Sequence, residues 1–222
     1  MASGSEEGGT GIQIDEYESL ISTTDVELLK RAWRHEKAAP EILQYEGALV
    51  QRIREQIQLM VETVEEFAES GIDPLTVSLY EMDLDRTQFL LRSYLRIRLH
   101  KIEKYMIHIL KTDLWNRLSE QEQKFAKRCT DDLGKHLEQS VLSRLPDGYK
   151  SLLKQSTASE EDDMVSEPQL DTFVICKSKR DLGTFQLDDS GGVPVELLAG
   201  NLNILRYKSI KPLVESGQID LV

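Results

Sequence analysis

Four histidines, two cysteines and one dense acidic run are the residues of this 222-residue sequence whose types could do chemistry. A metal site needs His, Cys, Asp or Glu at spacings that converge on one ion. His35, His100, His108 and His136 keep no such spacing, and neither Cys129 nor Cys176 has a CxxC companion. His100 and His108 stand eight apart and can share a helix face, where a hydrogen-bonded interface histidine is the expected reading. Glu160-Glu161-Asp162-Asp163 has charge enough for a cation, but it lies in an aperiodic polar stretch and reads as a solvated charge run. No Gly-rich loop runs into Lys-Ser or Lys-Thr, so a phosphate cradle of that kind is absent. No Ser, Cys or Lys sits in a nucleophile motif. The expectation is a chain that is not an enzyme and has no cofactor or metal residues.

Bulk properties narrow the classes further. The net charge is −12, spread as −10 over residues 1–74, +3 over 75–150 and −5 over 151–222. Nucleic-acid binding is driven by Lys and Arg neutralising phosphates, so so acidic a chain is a poor candidate for wrapping DNA by itself. No stretch approaches the roughly 20 apolar residues that span a bilayer. The first residues have neither a basic n-region nor an apolar h-region, so no secretory signal is expected. Two distant cysteines on dissimilar segments fit reduced packing residues of a nuclear or cytosolic protein.

The elements follow from periodicity and punctuation. Residues 1–20 are rich in Gly, Ser and Glu and read as a disordered tail. Thr24 to Glu27 fits a capping box that opens a first helix, with Val26, Leu29 and Trp33 on one face. Pro40 is expected to open the second helix, since a first-turn proline loses no hydrogen bond. Ile53, Ile57, Met60, Val64 and Phe67 recur at helical spacing in it. Gly71 and Asp73-Pro74 separate it from a third helix over residues 75–111, with Asp73 as N-cap. Ser119 to Glu122 is a second capping box, opening a helix that Pro146-Asp147-Gly148 ends. Residues 151–169 read as an acidic flexible linker. Short β-rich runs at 172–176, 184–187, 193–198, 202–207 and 218–222 follow, with a short helix at 210–216. The fold class expected is α+β: a helical bundle A domain over 21–150, then a small β-rich B domain over 170–222.

The third helix is too apolar for one core. On a wheel at 100° per residue, Leu79, Leu90, Tyr94 and Ile97 fall together. Leu91, Ile102 and Ile109 lie a third of a turn away, and Leu95, Leu99, Met106 and Leu110 lie opposite. A helix on one core needs an apolar arc of roughly 100°, and this one covers about 300°. Exposed apolar area on that scale marks an obligate interface. The expected partner face is Leu91, Tyr94, Leu95, Arg98, Leu99, Lys101, Ile102 and Tyr105. Arg98 and Lys101 point into the apolar arc and either snorkel at a core margin or pair across subunits. A nucleic-acid stripe from Arg86, Arg92, Arg96, Arg98, Lys101 and Lys104 is weakened because these bases spread around the helix.

Three stretches carry a family resemblance. Leu29-Lys-Arg-Ala-Trp-Arg-His-Glu-Lys-Ala-Ala-Pro-Glu-Ile-Leu43 is similar to the Ala-Trp, Glu-Lys and Ala-Pro-Glu signature of the Sld-five-type subunit of the GINS complex. Tyr94-Leu-Arg-Ile-Arg-Leu-His-Lys-Ile-Glu-Lys104 resembles that family's pattern on its long helix, and Leu205 to Gly217 resembles its pattern near the end. Trp33, Glu36, Pro40, Arg206, Tyr207 and Pro212 are the motif positions; His35 stands where the pattern has Asn. The resemblance implies a non-catalytic subunit of a heterotetramer with three Psf-type subunits, in the nucleus at replication forks. That tetramer would join the MCM hexamer and the Cdc-forty-five protein in the replicative helicase, with ATP hydrolysis left to the MCM ring. It would touch DNA weakly or indirectly. In some relatives an N-terminal peptide binds the Ctf-four adaptor that links helicase to polymerase. Ile12, Ile14, Tyr17 and Leu20 are where such a hook would sit. The alternative reading is a stand-alone helical nucleic-acid-binding or adaptor module.

Overall fold

The computed structural model describes residues 24–186 and 194–222. The candidate hook Ile12, Ile14, Tyr17 and Leu20 lies outside them. Helix α1 is Asp25–Ala38. Thr24 caps it as one half of the expected box, its hydroxyl accepting the Glu27 N–H at 3.3 Å. Helix α2 is Gly47–Glu69, so it opens seven residues beyond Pro40, where the sequence placed its start. The reason is chemical. Residues 40–45 run without helical hydrogen bonds, and the carbonyls of Glu41, Ile42 and Leu43 accept instead from Lys101, Arg117 and Arg98. A helix beginning at Pro40 would have consumed those carbonyls in its own ladder.

Gly71, at φ 72°, turns the chain, and Pro74 occupies the first position of α3 (Pro74–Lys111). Asp73 stands at the N-cap position, but its side chain makes no capping bond. Tyr105 leaves helical geometry (φ −117°, ψ 19°) and kinks α3 in its last third. A 3-10 turn at Asp113–Arg117 leads to α4 (Glu120–Ser140), where the full Ser119–Glu122 capping box forms. Leu29, Leu49, Val50, Ile53, Leu91 and Tyr94 make one core between α1, α2 and α3. Ile42, Ile102, Ile109, Leu114, Leu118 and Ala126 make a second, between the extended segment, α3 and α4.

The C-terminal part holds strands β1 (Phe173–Ser178), β2 (Gly183–Phe185), β3 (Val195–Leu197), β4 (Leu202–Arg206) and β5 (Ile219–Leu221). Helix α5 (Tyr207–Glu215) joins β4 to β5. The main sheet runs β4-β1-β5, antiparallel throughout, with Ile175 opposite Ile204 and Cys176 opposite Leu221. The β2-β3 hairpin stands apart in register. The inner sheet face and α5 bury Val174, Cys176, Leu205, Ile210, Ile219 and Leu221 around Tyr207, and Ala39 enters the same core. The chain is thus α+β, a helical bundle followed by a small antiparallel sheet.

Candidate partner interface

Two buried ionic clusters hold the surfaces in place. Arg98 is fully buried in α3, and all five of its N–H donors are used. Its Nε and Nη2 reach Glu122 at 2.7 and 3.1 Å, and Nη1 reaches Glu36 at 3.0 Å. The remaining donors go to the carbonyls of Leu43 at 2.8 Å and Arg117 at 3.1 Å. Glu122 also closes the cap of α4, taking the Ser119 N–H at 2.8 Å. Burial opposes the Arg98 charge, yet the Glu122 bonds and the nearby Glu36 carboxylate outweigh it and hold the guanidinium above its ordinary range. Lys101, one turn on, bonds Glu36 at 2.8 Å and the Glu41 carbonyl at 2.8 Å. There burial prevails, and it sits below the usual lysine range despite Glu36. Such a cluster adds little net stability, but it fixes how α1, the 39–46 segment, α3 and α4 meet.

The second cluster joins the helices to the sheet. Glu41 is buried, and it accepts from the Tyr207 hydroxyl at 3.0 Å, Lys211 at 2.9 Å and Arg117 at 3.3 Å. Arg117 reaches on to Glu215 at 2.6 Å. Burial and the Glu41 charge push the Tyr207 phenol far above its usual range, so it remains a donor. On the far side His35 meets Asp220 at 3.1 Å, and Lys179 meets the same carboxylate at 3.2 Å. His35, the departure from the motif, therefore ties α1 to β5.

The motif residues are scattered through this frame. Glu36 and Tyr207 belong to the two clusters. Trp33 donates its indole N–H to Ser93 at 2.9 Å, locking α1 on α3. Pro40 bends the chain away from α1. Arg206 pairs with Asp171 at 2.6 Å and lies 5.3 Å over the Phe173 ring. Pro212 is exposed in α5, and its carbonyl accepts the Ser216 N–H at 3.0 Å.

The long helix does not present the face expected of it. Leu91, Tyr94, Arg98 and Ile102 are buried within the chain itself, against α1, α2 and the 39–46 segment. Leu95, Lys101 and Tyr105 are half-buried, and only Leu99 of the eight is exposed. The wheel left out how much of that arc α1, α2, the 39–46 segment and α4 cover within the chain itself. The apolar surface lies elsewhere. At the α2–α3 end, Leu59, Leu75, Leu79, Met82 and Phe89 are exposed, Phe89 to 63%. On the outer face of the sheet, Phe173 and Ile175 of β1 neighbour Leu202 and Ile204 of β4, with Val222 beyond β5. Ile204 is 67% exposed. Sequence reasoning missed this second face. Its signal was present: β1 and β4 carry apolar residues on both faces, Phe173-Val174-Ile175-Cys176 and Ile204-Leu205, where one solvated face should be polar.

Among the described residues, no group of three or more His, Cys, Asp or Glu is placed to hold a metal ion, and no helix is long and apolar enough to cross a membrane.

Comparison with known proteins agrees with this architecture. A family model described as "GINS complex protein helical bundle domain" matches residues 56–141. A second, "DNA replication complex GINS protein SLD5 C-terminus", matches residues 168–222. The chain is 61% identical over 225 residues to the DNA replication complex GINS protein SLD5 of Arabidopsis thaliana, covering 100% of both chains. It is 30% identical over 222 residues to the protein of that name from Dictyostelium discoideum, across 93% of this chain and 98% of the other. The Mus musculus protein of that name is 32% identical over 209 residues, covering 89% of this chain and 88% of its own length. The chain belongs to the SLD5 family of GINS complex proteins, components of the DNA replication machinery.

Proposed function

We propose that the chain is a non-catalytic subunit of a GINS heterotetramer, built with three Psf-type subunits. Through that tetramer it joins the MCM hexamer and the Cdc-forty-five protein in the helicase that unwinds DNA at nuclear replication forks. The observation that carries the assembly reading is the exposed apolar outer face, Phe173, Ile175, Leu202, Ile204 and Val222, of a sheet whose helix α5 the Glu41 cluster ties to the helical part. Contiguous exposed side chains of this kind are costly in water and typical of a surface buried on association. The exposed α2–α3 end offers a second, separate surface, and Leu99 with Leu95 and Tyr105 the remaining part of the long-helix seam.

In this reading the helical part over 21–150 and the sheet part over 170–222 are two domains joined by residues 151–169. DNA contact is weak, since the basic residues of 75–150 do not line one face. Residues 12–20 are the segment proposed to meet an adaptor such as Ctf-four, which would connect the helicase to the leading-strand polymerase. Ile204→Asp tests the assembly claim. Its side chain is already in solvent, so the free chain should melt as the parent does while co-purification with Psf-type subunits falls at least tenfold. Unchanged co-purification would remove the sheet face from the interface.

A further inference from the structure

Residues 150–166 form no helix or strand, yet they close over α3 and α4 as a strap. Leu152 and Met164 line a groove together with Tyr105 and Met106 of α3 and Leu133 and Leu137 of α4. Gly134 leaves room for Leu152, whose Cδ1 stands 3.7 Å from where a β-carbon would lie. At Gly148 (φ 103°), Thr157 Cγ2 takes the room of a side chain, 2.8 Å from where that residue's β-carbon would lie. Lys111 of α3 pairs with Asp162. The strap is therefore docked by several separate contacts.

Its internal latch is one serine. The Ser159 hydroxyl donates to Asp163 Oδ2 at 3.0 Å, while Oδ1 of the same carboxylate accepts the Gln155 N–H at 2.8 Å. Ser159 also lies 3.4 Å from the Ser156 hydroxyl. These contacts draw the 155–163 segment into a compact turn.

We propose that Ser159 is a phosphoacceptor for a Ser/Thr kinase with a basic substrate groove, and that its phosphorylation opens the 155–163 turn of the strap. Three features support the acceptor. Glu160, Glu161 and Asp162 supply negative charge at each of the three following positions. The segment has no helix or strand to unwind before it enters a kinase cleft. Its neighbours fit less well: Ser156 is followed by Thr157, Ala158 and Ser159, and Thr157 by Ala158 and Ser159 before its first acid.

The consequence follows from the latch. The γ-phosphoryl group of ATP passes to Ser159 Oγ; the new Oγ–P bond forms as the bridging P–O bond to ADP breaks, and the hydroxyl proton leaves to the kinase base. The product carries about −1.5 to −2 charge where a hydroxyl had donated to a carboxylate. It has lost that donor and faces Asp163 as a like charge, so the turn that holds Gln155 opens.

Incubating the full-length chain with an acidophilic Ser/Thr kinase and Mg-ATP, then mapping phosphopeptides, tests the acceptor. Near-stoichiometric phosphate at Ser159, abolished in Ser159→Ala, is expected. No incorporation, or incorporation at Ser156 or Thr157 in its place, overturns the assignment. Hydrogen exchange of the phosphorylated chain tests the opening of the turn. The Gln155 amide should exchange at least tenfold faster, with helices α3 and α4 unchanged. Phosphate at Ser159 with unaltered exchange at Gln155 overturns the latch.

Discussion

Replacing Arg98 with Met removes the guanidinium at the centre of the helical part while keeping a flexible apolar stem of similar reach. Five hydrogen bonds are lost, to Glu36, Glu122 and the carbonyls of Leu43 and Arg117. The two carboxylates are not equally stranded. Glu36 keeps Lys101 at 2.8 Å, and Glu122 keeps the Ser119 N–H at 2.8 Å but no cation. Breaking a buried ion pair by removing one partner costs 3–5 kcal/mol in general, so with these residual partners about 4 kcal/mol is expected. Against total stabilities of about 5–15 kcal/mol, that is a large fraction. The assay is urea unfolding followed by far-UV circular dichroism, on the full-length chain with its partners present wherever the parent needs them. Adding Glu122→Gln to Arg98→Met should recover about 1–2 kcal/mol, because it neutralises the stranded carboxylate. A loss below about 1 kcal/mol in the single variant would refute the reasoning, since it would mean that the guanidinium is hydrated rather than buried.

Other outcomes follow from the second cluster. Tyr207→Phe should cost about 2 kcal/mol, the worth of a buried hydrogen bond to a charged group, with Lys211 and Arg117 left on Glu41; the shift in urea midpoint measures it. Burial raises the Asp220 carboxyl, but the His35 imidazole 3.1 Å away and the Lys179 charge outweigh it and lower it from its ordinary 3.8. A depressed folded value contributes stability above the unfolded value near 4 and loses it as pH falls through the lower folded one. Thermal melts between pH 6 and 3 should therefore show a smaller acid-induced drop in Asp220→Asn than in the parent.

Local chemistry made most of the helical frame legible. Ser119-Glu120-Gln121-Glu122 states a helix start in four residues, and the structure has the complete box. Gly71 and Pro74 punctuate α2 and α3 for equally local reasons. Pro40 misled because the same residue suits a first helical turn and a bend. What decided between them was Arg98, Lys101 and Arg117, up to 75 positions away, drawing on the carbonyls of 41–43. Arg98 showed in the sequence as a charge within an apolar arc that needed a partner. That the partners are Glu36 and Glu122 of this chain, not acids of another subunit, depends on the tertiary approach of α1 and α4. The outer sheet face was hidden for a related reason: strands that are apolar on both faces read as ordinary buried strands until their pairing order shows one face uncovered.

Native mass spectrometry of the chain co-expressed with three Psf-type subunits is the most direct measurement of its proposed role. The account predicts one dominant species holding one copy of each of the four chains, with little of this chain free. A chain that stays monomeric and well folded beside its co-expressed partners, with its outer sheet face still open to solvent, would contradict it.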